Sequence, residues 1–405
     1  MMRTEKVNRD RIILHCDLNN FFASVECVLN PELKDKYVAV CGSEADRRGI
    51  VLAKNEKAKA CGVMTAEPIW RAKRKCPELV TVPPHHELYR EYSQKVQDIY
   101  YRYTDQVEPA SIDECFLDVT GSTALFGSGE EIAYSIKDAV KKELGLTISV
   151  GVSFCKIFAK LGSDMKKPDA VTCITKEHFK QKVWILPVGD LVGVGRSSCE
   201  KLNEYGICTI GELAAADENL LQRLLGINGV QLKQFANGID ERTVSKYGEK
   251  EVPKSIGHGI TTPADLTDND GVWKVILSLS AEIGSRLRDE CLAASGVCVS
   301  VKDNTMKNVS YRQRFKNPTQ SPTVIANGAR DVFEKKHKWL HGIRTVTVTA
   351  VDLTQPGFCM PDMFGDYIKD EKIEKIDSVV DSLRRKYGND SVKNAVLIDG
   401  SDNKE

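Results

Sequence analysis

Apolar positions recur along this chain with two spacings, and the switches between them mark its elements. An almost unbroken apolar run over 11–18 ends at Asp17-Leu18 and predicts a buried strand. Helical spacing follows over 21–28, then strands at 37–40 and 49–53 and helical segments at 56–61 and 68–75. Pro83-Pro84 closes this block, and residues 87–103 read as a long amphipathic helix. Strands at 107–110 and 115–119, a helix at 130–143 and a strand at 147–153 complete a βαββαβ-like order. That order predicts an α+β fold of the split-βαβ type.

From 175 to 240 the pattern changes to short helices broken by glycine. Residues 241–253 are polar and charged and read as a linker. Residues 254–355 alternate strands (257–262, 296–301, 345–353) with helices (272–287, 324–335), and so predict a separate α+β domain. The tail from 356 carries one helical stretch, 372–387.

A chain of 405 residues is too long for one core. Its 41% hydrophobic and 28% charged content is that of a globular protein, and no apolar run reaches the roughly 18 residues of a membrane span. The thirteen cysteines are scattered, with no Cys-x-x-Cys pair and no zinc spacing. With no apolar leader at the N-terminus, these features predict a cytoplasmic protein. The formal net charge is zero, so only the local placement of cations can decide for or against nucleic acid.

Two acidic sites interrupt the strand pattern. Asp17 ends the first strand, and Asp113 and Glu114 open a later one. Acids are scarce in buried strands unless they are paired or bind a cation. If the strands are neighbours, these three carboxylates converge on a cage that suits Mg²⁺ and two-metal phosphoryl transfer. Adjacent strand residues face opposite ways, so Asp113 and Glu114 must lie at a bulge or at a strand end. The alternative is a pair of surface carboxylates on an edge strand. The Leu18 carbonyl would add an oxygen ligand.

Phe21 reads as a core aromatic, and Phe22 as a ring that excludes a nucleotide 2′-hydroxyl. Lys54, Lys57 and Lys59 cluster near one segment, while Lys156, Lys160, Lys166 and Lys167 follow a strand. Most of these fit solvated helix faces. Pro168 ends the helix beside Lys167, where the lysine could reach phosphates.

Gly193-Val194-Gly195 fails as a dinucleotide loop, because Ser198 occupies the third glycine position. It fits either a helix–hairpin–helix, whose N–H groups meet a DNA phosphate, or a plain tight turn. Arg312, Arg314 and Lys316 lie on one face of a strand, either as a phosphate-binding row or as an ordinary solvated face.

Together these motifs resemble the Y-family translesion DNA polymerases, specifically the DNA polymerase IV group, across about residues 11–355 in the correct order. The resemblance rests on residues 17–26, 111–114, 151–168, 193–195 and Lys254-Ser255-Ile256-Gly257. It implies a palm (1–20 and 86–174), fingers (21–85), a helical thumb with a helix–hairpin–helix (175–243), a linker (244–253) and an α+β little finger (254–355). It also implies that Asp17, Asp113, Glu114 and the Leu18 carbonyl bind two Mg²⁺, that Phe22 is the steric gate beside Phe21, and that Lys167 binds triphosphate.

Two departures stand out. Asn19 replaces a second acid common in the family. Glu56 and Lys59 fall where the fingers motif usually has Tyr and Arg, so Lys59 is the candidate second phosphate contact without a bidentate fork. In the tail (356–405), Met360-Pro361-Asp362-Met363-Phe364 resembles a sliding-clamp peptide.

The expected activity is low-processivity translesion synthesis without proofreading, by a monomer acting on primer–template DNA and dNTPs. The competing expectation is a DNA- and clamp-binding lesion accessory with a decayed nucleotide site.

Overall fold

The computed structural model describes residues 11–45, 47, 49–249, 252–356, 366–388 and 391–397. Two compact units divide the chain: residues 1–42 with 49–250, and residues 43–48 with 251–405.

In the first unit β1 (Ile13–Leu18) is buried along its whole length. Three short strands, β2 (Val38–Cys41), β3 (Val51–Lys54) and β4 (Val80–Val82), form a small sheet in the order β3-β2-β4. The strands β5 (Val107–Pro109), β6 (Glu114–Asp118), β7 (Ile148–Ser153) and β8 (Val171–Ile174) join β1 in a five-stranded sheet, ordered β5-β6-β1-β7-β8. The central strand, β1, pairs antiparallel with both β6 and β7.

Strand periodicity then sorts the side chains of β1. Leu14, Cys16 and Leu18 enter a core shared with Tyr89, Val96 and Ile99 of the helix His86–Tyr101, and with Ile132 and Ile136 of the helix Gly129–Leu144. Ile13 clusters with Ala159, and His15 meets Ser163, so the other face is covered by the helix Lys156–Met165. Gly151 permits that contact: a Cβ there would lie 1.9 Å from the Ala159 carbonyl oxygen. The helix Gly129–Leu144 starts at a Ser128/Glu131 capping box and stops at Gly145, whose φ is 69°.

The 175–240 region is helical, around a core that includes Phe158, Phe179, Leu202, Leu213 and Leu232. The first part of the polar stretch after it, residues 243–247, is anchored to this unit. Val244 is buried, Ser245 N–H donates to Glu108 Oε2 at 2.8 Å, and the Tyr247 ring packs on Tyr101 at 4.8 Å. Lys156, expected on a solvated face, is 6% exposed. Its Nζ donates to both Glu108 oxygens (2.6 and 2.7 Å) and to the Thr243 carbonyl at 2.9 Å. A buried ammonium must be paired, and that need ties the segment down.

The second unit has four long antiparallel strands, β9 (Ser255–Leu266), β10 (Ala293–Asp303), β11 (Asn308–Thr319) and β12 (Ile343–Thr354), in the order β11-β10-β12-β9. The helices Asn269–Asp289 and Pro322–Lys336 bury their apolar stripes against it. The tail helix, Asp366–Tyr387, is longer than its sequence pattern predicts and is fastened to this unit. Arg288 Nε donates to Asp381 at 2.7 Å, and Ser321 Oγ donates to Asp377 at 2.6 Å.

Candidate active site

The register of β1 and β6 sets Asp17 directly opposite Glu114. Glu114 is the first residue of β6, and Asp113 lies in the bend before it. The constraint on neighbouring strand residues is thus met at a strand end. Leu18 N–H donates to the Asp113 carbonyl at 3.0 Å, and Ser111 Oγ donates to Asp113 Oδ1 at 2.5 Å. The bend is therefore fixed both to β1 and internally.

Two lysines from beyond β7 answer the carboxylates. Lys160 Nζ lies 2.6 Å from Glu114 Oε1 and 3.6 Å from Asp17 Oδ2. Lys167 Nζ lies 2.8 Å from Asp17 Oδ2 and 2.9 Å from Asp164 Oδ1. The solvated-face expectation fails for Lys160 as it does for Lys156: four residues apart, both lie on the helix stripe turned toward the sheet. That i,i+4 spacing is the signal the sequence offers.

Burial pushes the Asp17 carboxyl up to about 6, against the pull of Lys167 and Lys160. Contact with His15 and the Lys160 ammonium hold Glu114 well below the usual carboxylate range. His15, absent from the sequence-based candidates, is wholly buried. Its Nδ1 is 2.8 Å from Ser163 Oγ, and its Nε2, 3.5 Å from Glu114 Oε2, has no closer partner. Burial lowers its pKa.

The expected three-carboxylate cage is not assembled in this arrangement. Among the described residues no three His, Cys, Asp or Glu side chains stand close enough to share an ion. Asp17 and Glu114 instead share the Lys160 ammonium. Two facing carboxylates, one buried and charge-compensated only by lysines, form a donor set of hard oxygens that fits Mg²⁺.

Phe22 lies just beyond β1, where the helix Phe21–Leu29 begins. Its ring stacks on Tyr89, with centroids 4.1 Å apart and planes at 12°. The Tyr89 hydroxyl donates to buried Glu26 at 2.5 Å, so the platform under Phe22 is itself anchored. Phe21 is only 3% exposed, and its side chain belongs to the sheet core. Lys59 lies 3.5 Å from Glu56 Oε1, and the same oxygen accepts from Asn20 Nδ2 at 2.7 Å.

Gly193 has φ 99°, and Gly195 caps the nine-residue helix Arg196–Glu204. Val194 packs into the helical core, leaving the two glycines exposed on either side. On the edge strand β11, Arg312, Arg314 and Lys316 are exposed, while Tyr311 and Phe315 pack inward. Arg312 pairs with Asp352 at 2.5 Å. The clamp-like stretch 360–364 lies outside the described residues.

The family model for the impB/mucB/samB family matches residues 16–164, and that for its C-terminal domain matches 253–359. A solved Y-family DNA polymerase chimera of Dbh and Dpo4 superposes with a TM-score of 0.75 at 26% identity, covering 85% of this chain and 99% of its own. The chain belongs to the Y-family DNA polymerases.

Its relatives narrow the group to DNA polymerase IV. The enzyme of that name from Acetivibrio thermocellus is 48% identical over 390 residues, 96% of this chain and 98% of that protein. DNA polymerase IV 1 of Bacillus subtilis is 37% identical over 398 residues, 98% of this chain and 95% of that protein.

Proposed function

We propose that this chain is a DNA-directed DNA polymerase of the translesion type, extending primers with dNTPs by metal-dependent nucleotidyl transfer. The observation that carries this reading is the facing pair Asp17 and Glu114, charge-balanced by lysines and flanked by Phe22. Asp17, Asp113, Glu114 and the Leu18 carbonyl would hold two Mg²⁺. Held by these residues, the ions would supply Lewis-acid activation of the primer 3′-hydroxyl and charge neutralisation at the leaving pyrophosphate.

The chain's own groups do the rest. Lys167 exchanges its carboxylate partners for the triphosphate, and Lys59 supplies a second cation. The Phe22 ring, backed by Tyr89, fills the space a 2′-hydroxyl would need. The hairpin Gly193-Val194-Gly195 offers backbone N–H groups to a DNA phosphate, and Arg312, Arg314 and Lys316 offer a cationic row to others. The clamp-like stretch 360–364 is read as a docking peptide for a sliding clamp.

The test is primer extension with Mg²⁺ and single dNTPs, on an undamaged template and on one bearing a minor-groove guanine adduct. Templated incorporation by the wild type and none by Asp113→Asn supports the reading. A folded, DNA-binding wild type that incorporates nothing would replace it with the accessory-protein reading.

A further inference from the structure

Asn19 stands two residues beyond Asp17, on the other side of Leu18, and only 5% of it is exposed. Both ends of its amide are committed. Nδ2 donates to Ser149 Oγ on β7 at 2.9 Å, and Oδ1 accepts the Asp169 backbone N–H at 2.9 Å. Its own N–H donates to the Thr147 carbonyl at 2.9 Å, so the residue is held at three points, by Thr147, Ser149 and Asp169.

The segment it holds, residues 167–169, carries Lys167. Asp169 has φ 55°, a backbone state that side chains other than glycine seldom adopt without outside support. That support comes from two directions. Asn19 holds the Asp169 N–H, while Lys137 and Lys141 of the helix Gly129–Leu144 hold its carboxylate at 3.3 and 2.7 Å. Lys137 Nζ also donates to the Asp169 carbonyl at 3.3 Å. With the chain fixed at Asp169, Lys167 starts from a set point and its Nζ reaches Asp17 at 2.8 Å.

We propose that Asn19 is a positioning residue for nucleotide binding. Through Asp169 it fixes the turn that aims Lys167 at the triphosphate. The proposal rests on the reading of Lys167 as a triphosphate contact. An aspartate at position 19 would still accept from the Asp169 N–H, and the Ser149 hydroxyl could turn to donate to it. Alanine would remove both bonds and leave the partly buried Asp169 N–H without its acceptor.

Steady-state insertion of one matched dNTP opposite an undamaged template base, measured with Mg²⁺, tests this. The set is the wild type, Asn19→Ala, Asn19→Asp, Lys167→Ala and the double variant Asn19→Ala/Lys167→Ala. Asn19→Ala is expected to raise KM about fivefold with kcat within about twofold, and Asn19→Asp to return KM to within about twofold of wild type. The double variant is expected to have the KM of Lys167→Ala alone, because two residues acting through one contact are not additive.

If Lys167→Ala leaves KM unchanged, the reading of Lys167 fails, and this inference with it. If Lys167→Ala raises KM but Asn19→Ala does not, or if the two effects add in full, the positioning role is overturned and the Lys167 reading stands. Ser149→Ala removes the other end of the bridge and serves if Asn19→Ala does not fold. A raised KM supports the proposal, and an unchanged one beside a raised Lys167→Ala value overturns it.

Discussion

Asp17 and Glu114 face one another across the β1–β6 pair, and the Lys160 ammonium spans them at 3.6 and 2.6 Å. The backbone register alone brings the two carboxylates together, so their need for positive charge is present before any ligand arrives. Lys160 and Lys167 meet that need within the described chain.

Glu114→Ala and Asp113→Asn are each expected to lower primer extension by about three orders of magnitude or more, the size of a metal ion's contribution. Primer–template affinity should stay within about twofold. Extension rates beside equilibrium binding to labelled DNA check both halves. Substantial extension by both variants would refute the assignment of these carboxylates.

Phe22→Ala is expected to admit ribonucleotides, cutting the preference for dNTPs by about a hundredfold, the scale on which a filled pocket rejects a surplus polar atom. Competing insertion of dCTP and CTP opposite a template guanine gives the ratio. Unchanged sugar discrimination would show that another side chain is the gate.

Glu108 supports the fold through Lys156 and Ser245. Burial raises its pKa, but the Lys156 and Ser245 hydrogen bonds outweigh that effect and hold it below its ordinary 4.5. A carboxyl depressed on folding stabilises fully above that ordinary value and loses its contribution as pH falls through the folded one. Glu108→Ala should therefore cost about 2 kcal/mol at neutral pH. Urea titrations at neutral and acid pH should show the difference from wild type shrinking in acid, and a difference independent of pH would contradict this role for the ion pair.

Arg312→Ala/Arg314→Ala is expected to weaken DNA binding on all sequences alike. For every phosphate the variant no longer neutralises, the plot of log affinity against log salt should flatten by about 0.9. Binding measured across a salt series reads this directly, and parallel plots for variant and wild type would leave the row as a solvated face.

The clamp-like peptide is best tested by Met363→Ala/Phe364→Ala. Deleting residues 356–405 would also remove Asp381 from Arg288 and Asp377 from Ser321. Abolished clamp stimulation of processivity with basal extension intact is expected. Equal stimulation of variant and wild type would eliminate the peptide as a docking site.

What can be read from the sequence divides along physical lines. β1, β6 and their acids are legible, because an acid closing an apolar strand is conspicuous and strand periodicity limits where it can point. For Lys156 and Lys160 the i,i+4 spacing marks a shared helix stripe, but nothing local names their partners, carboxylates 48 and 46 residues away. The same long-range pairing hides the anchoring of residues 243–247, where polar composition alone suggests a free linker. His15 escapes notice because, inside an apolar run, it looks like part of the strand. The docking of the tail helix is equally invisible, resting on polar contacts to Arg288, Ser321 and Asp289.

Because β1 is buried on both faces, its usefulness depends on parity. Ile13, His15 and Asp17 form one series, and Leu14, Cys16 and Leu18 the other. One residue inserted or deleted within the strand would exchange the series, driving Asp17 into the apolar core and turning an apolar side chain toward Lys160 and Lys167. This segment can therefore vary by substitution but not by length.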